Sequence, residues 1–203
     1  MFRLLMLVMV TVLSACAPPK KFVSTPVVES QWRQYQQQAS AISRWNISGR
    51  MAIETESNGG QVDIFWQQTD NNHYDIRMVA PFGGGTSFLK ARSDSVVFTS
   101  SNGEQLVEQN ADRLMARIDG WKFPVSGLRY WILGMPTPDK HVRLINWHEQ
   151  GYLHLMEQDG WRIEMLNYKP VDAYILPHKI FIHRLDRDDL SVRMVIRQWG
   201  LDP

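Results

Sequence analysis

From Trp45 onward the chain counts in twos. In WNISGRMAIETE, Ile47, Met51 and Ile53 share a face with Gly49 between them. In GQVDIFWQQ, Val62, Ile64 and Trp66 alternate with Asp63, Phe65 and Gln67, and in HYDIRMV, Tyr74, Ile76 and Met78 alternate with Asp75 and Arg77. Successive side chains of a strand point to opposite faces, so this rhythm builds surfaces that are apolar on one side and wetted on the other. The joints carry turn residues, Ser57-Asn58-Gly59-Gly60 and Asp70-Asn71-Asn72, which predict hairpins and hence an antiparallel meander. TSFLKAR, SVVFTS and EQLVE bring the meander to six strands, and HVRLINW, YLHLMEQ, WRIEMLN, HKIFIHRLD and LSVRMVIRQW add five more.

The period lengthens to three and four in two places. After Ser30, a plausible N-cap, Trp32, Tyr35, Ala39 and Ile42 predict an amphipathic helix over roughly Gln31 to Arg44. Leu114, Met115 and Ile118 suit a short helix stopping at Gly120. A third starts near Pro124, with Val125, Leu128, Trp131 and Ile132 on one side and Gly134 and Pro136 at its end. A long meander curls, and its apolar face needs a cover. The expected fold is therefore mainly β with α: an antiparallel unclosed β-barrel of about eleven strands, with three helices as a lid over an apolar cavity.

The beginning of the chain has a different character. Arg3 precedes a short apolar run, Leu4 to Leu13, followed by Ser14 and Ala15, the layout of a secretory signal. About ten apolar residues are too few to span a bilayer, which takes roughly 20. Leu13-Ser14-Ala15-Cys16 resembles the lipobox of bacterial lipoproteins, and Cys16 is the one cysteine in the chain. Residues 1–15 are read as a signal peptide and 16–29, with Pro18, Pro19 and Pro26, as a lipidated cysteine and flexible linker. Residues 30–203 are read as a single domain. Losing Arg3 with the signal takes the formal charge from +1 to zero. With both signs of charge mixed throughout, there is no basic face of the kind nucleic acid requires.

No catalytic signature emerges. There is no G-x-S-x-G elbow and no Walker loop, and the glycines at 83–85 join two strands without opening a helix. The six histidines form no H-x-x-x-H pair, and with the sole cysteine spent on lipidation zinc has poor prospects. No enzyme activity, metal or cofactor is expected. What stands out is apolar and adaptable: ten methionines and eight tryptophans. Methionine fills irregular space and tolerates varied partners, which suits an ordinary core and also suits a pocket for variable acyl chains.

One loop, VAPFGGGTSF, places an aromatic between Pro81 and three glycines. That loop, the lipobox, the QWRQYQQQ helix, FWQQT and GLRYWILGMP occur in an order that resembles the outer-membrane lipoprotein receptor family LolB, over essentially the whole mature chain. The resemblance implies eleven antiparallel strands in an unclosed barrel with a helical lid, enclosing an apolar cavity for lipoprotein acyl chains. It implies an outer-membrane, lipid-anchored, periplasm-facing monomer. Such a receptor takes acylated lipoproteins from the periplasmic carrier LolA and inserts them into outer-membrane lipid. Family members carry a protruding loop with an apolar tip, commonly leucine. Phe82 matches that tip, flanked by Pro81 and Gly83, and substitutes a larger apolar group. Inner-membrane retention is associated with aspartate after the lipidated cysteine, so Ala17 is compatible with outer-membrane residence. The cavity is expected to be lined by Met51, Ile64, Trp66, Ile76, Met78, Met115, Trp131 and Ile132. A rival reading is a structural outer-membrane lipoprotein that binds envelope proteins or glycan without handling lipid.

Overall fold

Alternation carries through into the computed structural model, which describes residues 25–56, 59–118, 124–186 and 190–202. The signal, Cys16, Ala17 and most of the linker lie outside the described residues, as do Ser57, Asn58 and Gly120 of the expected turns. Six strands come first: β1 (Trp45–Glu54), β2 (Gly59–Gln68), β3 (Tyr74–Val79), β4 (Thr86–Arg92), β5 (Ser95–Thr99) and β6 (Gln105–Glu108). Two helices follow, α2 (Ala111–Arg117) and α3 (Val125–Ile132), after α1 (Pro26–Ser40) at the start. The return half comprises β7 (Val142–Trp147), β8 (Leu153–Gln158), β9 (Trp161–Leu166), β10 (Lys169–Val171), β11 (Tyr174–Leu176), β12 (Lys179–Arg184) and β13 (Ser191–Leu201).

The main sheet has eleven strands in the order β6-β5-β4-β3-β2-β1-β13-β12-β9-β8-β7, and β10 and β11 form a separate two-stranded ribbon. Every pairing is antiparallel. β6 and β7 end the order, so the barrel is unclosed, and the segment joining those two edges carries α2 and α3. The chain closes its middle by laying β13 against β1, the longest-range pairing in the sheet. There β13 bulges at Arg197, opposite Ser48 and Gly49. Gly49 is required: a Cβ at that position would lie 2.2 Å from the Val195 carbonyl oxygen.

Inward positions line up across strands. Ile47, Trp66, Ile76, Leu89 and Phe98 are successive partners from β1 to β5, and Met51, Met194, Ile180 and Met165 run from β1 through β13 and β12 to β9. All nine are buried, so the period of two puts one continuous apolar face on the concave side.

The first helix begins earlier than its apolar spacing implied. Thr25, not Ser30, is the N-cap: its hydroxyl accepts the Val28 amide at 3.2 Å, and Pro26 occupies the first turn, where its missing N–H costs nothing. The helix therefore takes in residues assigned to the linker. Its buried stripe is Val28, Trp32, Tyr35 and Ala39. It rests on the β7–β8 turn, where Gly151 (φ +77°) comes so close that a Cβ would stand 2.4 Å from the Gln31 Cβ.

Candidate functional site

Six of the residues expected to line a cavity, Met51, Ile64, Trp66, Ile76, Met78 and Met115, converge on one void between the sheet and the two short helices. Leu89, Val125 and Leu128 complete its wall. Trp131 and Ile132 are also buried, but they do not line it. Leu89 was legible in principle, since it opposes Ile76 in register. Val125 and Leu128 depend on how α3 docks.

The void measures about 10 Å³, room for no more than one water, and its wall exposes no polar surface. Among the described residues this void is far smaller than the roomy hollow expected from the family resemblance. Methionine and tryptophan side chains make up much of its wall. Unbranched methionines can vacate such space by rotamer changes at little cost.

The helical cover is fastened by polar groups that the apolar pattern did not reveal. Gln158, buried at the end of β8, accepts from Trp131 Nε1 (3.2 Å) and the Thr137 amide (2.8 Å) and donates to the Thr137 and Lys140 carbonyls (both 3.0 Å). Asp112 of α2 caps α3 by accepting the Ser126 amide at 3.1 Å and the Ser126 hydroxyl. Tyr35 of α1 donates its phenolic proton to the Leu133 carbonyl at 2.8 Å. Tyr35 and Tyr168 both have their pKa raised by burial, so these phenols stay protonated donors at neutral pH. Neighbouring Glu157, almost wholly buried, is held by Arg143 and by Arg162, whose Nη2 lies 2.6 Å away.

At the end of β3 the chain makes a single 3-10 turn, Pro81–Gly83, closed by Ala80 N–H to the Gly85 carbonyl (3.0 Å) and Gly84 N–H to the Pro81 carbonyl (3.1 Å). Phe82 stands at its tip with a relative exposure of 104%. No other large apolar side chain among the described residues is so bare. Of the three glycines, Gly83 (φ +78°) and Gly85 (φ +96°) take positive φ. Gly84 does not, and Phe82 itself adopts φ 54°, ψ 32°. A left-handed phenylalanine costs roughly 1–2 kcal/mol, so the loop projects its aromatic at the expense of stability. Gly85 has a second reason to be glycine: a Cβ there would stand 2.4 Å from the Ser101 Cβ of the next hairpin turn.

Among the described residues no three His, Cys, Asp or Glu side chains cluster as a metal site would. His148 and His154, distant in the pattern, do meet across the β7–β8 hairpin, with ring nitrogens 3.3 Å apart.

An open antiparallel sheet wound round two helices, apolar across its concave side and bare at one aromatic tip, defines the class of lidded, incompletely closed β-barrels. Solved structures share this fold. A LolA superfamily protein from Nitrosomonas europaea superposes with a TM-score of 0.56 at 7% identity, covering 85% of this chain and 94% of that one. A putative outer membrane lipoprotein-sorting protein domain from Vibrio parahaemolyticus gives 0.55 at 8% identity, covering 86% and 93%. Sequence narrows the class to one family. Residues 43–199 match the family described as Outer membrane lipoprotein LolB. The outer-membrane lipoprotein LolB of Pseudomonas syringae pv. syringae is 34% identical over 170 residues, covering 84% of this chain and 80% of that protein. That of Stutzerimonas stutzeri is 31% identical over 189 residues, covering 92% and 89%. The chain belongs to the outer membrane lipoprotein LolB family.

Proposed function

We propose that this chain is a receptor tethered to the outer membrane through acyl groups on Cys16. It takes acylated lipoproteins from a periplasmic carrier, holds their acyl chains between sheet and lid, and inserts them into the bilayer. Each methylene exposed to water costs roughly 0.8 kcal/mol, so a lipoprotein crosses an aqueous compartment only if its chains stay covered. The concave face can provide that cover once α2, carrying Met115, and α3 lift away from Met51, Ile64, Trp66, Ile76 and Met78. Trp131 and Ile132 travel with the lid as its apolar underside. Without an energy source in the site, transfer runs downhill, and each tenfold preference at a step needs about 1.4 kcal/mol.

The observation that carries this reading is Phe82, held bare in a strained backbone at the end of a hairpin. Burying a phenyl ring in lipid contributes roughly 1.5–3 kcal/mol. That is too weak to anchor the protein and sufficient to orient its rim toward the bilayer, with Pro81 stiffening the approach and Gly83 letting the tip turn. The test is Phe82→Glu in the full chain: cargo is still accepted from purified carrier, but its release into liposomes falls. Delivery at the wild-type rate would refute the role of the loop. The narrowness of the void favours the rival reading, a structural module that binds envelope proteins or glycan. Binding of a fluorescent fatty acid that depends on Met51 and Met78 decides between them.

A further inference from the structure

A second concavity, of about 660 Å³, lies away from the void, between the C-terminal half of α1, the start of β1, the end of β2 and the segment following α3. Trp45, Ile42, Leu133 and Met135 give it an apolar floor. Its polar wall is uncharged (Gln36, Gln37, Ser43, Asn71 and Thr137 among others), with one exception, Arg129. The guanidinium of Arg129 lies over the Tyr130 ring, 4.6 Å from its centroid, and Nη2 donates to the Tyr130 hydroxyl at 2.7 Å. Its Nε is shielded from solvent and has no hydrogen-bond partner. Among the described residues no carboxylate lies within ion-pair distance of it. A guanidinium oriented by an aromatic ring and lining a groove with no acid in its wall is prepared for an external anion.

We propose that this groove binds an extended peptide segment carrying an acidic side chain, supplied by a protein that docks on this face. Two features favour peptide over phosphate or lipid. Side-chain amides such as Gln36, Gln37 and Asn71 offer donor and acceptor together, which matches the alternating N–H and C=O of a peptide backbone, whereas a phosphate would leave the amide acceptors without a donor. The apolar floor accepts alternate side chains of an extended strand. The groove is also remote from Phe82. Trp45 and Tyr74 both oppose Gln68 at one end of the strands, whereas Phe82 follows Val79 at the other. Five residue steps of about 3.3 Å separate Tyr74 from Val79, roughly 16 Å. With Phe82 at the bilayer, the groove faces water, where cargo and carrier arrive. This last step alone rests on the function proposed above.

The probes are two capped pentapeptides of alternating alanine and leucine, with glutamate or glutamine at the centre. They are titrated calorimetrically into the full chain held in phosphatidylcholine nanodiscs. The glutamate peptide binds at least about tenfold more tightly than the glutamine one. Arg129→Gln removes that difference, and Ser40→Trp, at an exposed position on the groove wall, weakens both peptides. Thermal melts check that the variants fold; should Arg129→Gln fail to, the peptide comparison on the native chain and on Ser40→Trp still decides. Equal binding of the two peptides, or no binding at millimolar concentration, overturns the proposal. So does an Arg129-dependent response to phosphatidylglycerol in the disc without peptide discrimination. Phe82→Glu leaves peptide binding unchanged, so loss of delivery and loss of peptide binding are separate results.

Discussion

The hydroxyl of Tyr35 donates to the carbonyl of Leu133, 2.8 Å away and 98 positions along the chain. This one bond ties the N-terminal helix to the end of α3, where the last turn of a helix leaves carbonyls without partners. Tyr35 also packs edge-on against Tyr152 and Tyr168, with centroids 5.5 and 6.1 Å away, so α1 is seated on the return half of the sheet by rings and fastened to the lid by a proton.

Tyr35→Phe keeps the rings and removes the proton. The Leu133 carbonyl then lies buried without a donor, a cost of about 1–3 kcal/mol. A domain of this size should lose roughly 2–4 °C of melting temperature per kcal/mol. Hydrogen exchange should rise in α3 more than in β1–β3, since the lid loses a fastening and the sheet does not. An unchanged melt with unchanged exchange would show that the bond does not hold the lid.

Phe82→Gly separates stability from function. Glycine adopts φ 54° without strain, so the variant should be as stable as the native chain or more so, by up to about 1 kcal/mol after the entropy of the added glycine is counted. Delivery of cargo to liposomes should fall, because the tip has lost its apolar group. A chemical-denaturation midpoint below that of the native chain would contradict the strain assigned to this residue.

Gln158→Leu replaces the four-bonded amide with an apolar group of similar size. Trp131 Nε1, the Thr137 amide and two carbonyls lose their partner together. Breaking a buried network of this kind should cost about 2–4 kcal/mol. Because the network joins α3 to β8, the variant should take up a fluorescent fatty acid faster even where it remains folded. Stopped-flow fluorescence measures that rate, and native-like uptake would mean the lid opens elsewhere.

His178 supplies a pH dependence. Its pKa is lowered, first by burial, partly countered by its contact with the Leu176 carbonyl at 3.1 Å, and further lowered by Lys169. The unfolded chain, with a histidine near the ordinary value of about 6.5, binds a proton more readily than the folded one. Stability from this residue is therefore fully present above about pH 6.5 and is lost as pH falls through the lower folded value. His178→Gln should flatten the decline in melting temperature as pH falls below about 6.5, and NMR titration of the imidazole gives the folded value directly.

Legibility followed the range of the physics. The period of two named the inward residues Ile64, Trp66, Ile76 and Met78 correctly because adjacent side chains on a strand must diverge, whatever the strand packs on. The same rule gave eleven strands in the main sheet. The start of α1 was misplaced because apolar spacing marks the buried stripe and says nothing of a cap such as Thr25, which lies one turn before it. Trp131 and Ile132 are buried, as the helical spacing implied, but they do not line the void, because which neighbours a buried helix residue meets depends on how the helix docks.

The sequence alone, then, determined the strands, their inward faces, the turns that join them and an aromatic placed between proline and glycines, because each follows from residues adjacent in the chain. Tertiary structure alone decided that Gln158 would fasten the lid, that Arg129 would line a groove without a carboxylate in its wall, that the void between sheet and short helices would have room for one water, and that Phe82 itself would take the left-handed turn. Those outcomes depend on hydrogen bonds and packing between segments far apart in sequence, and no local pattern encodes which distant group will arrive to complete them.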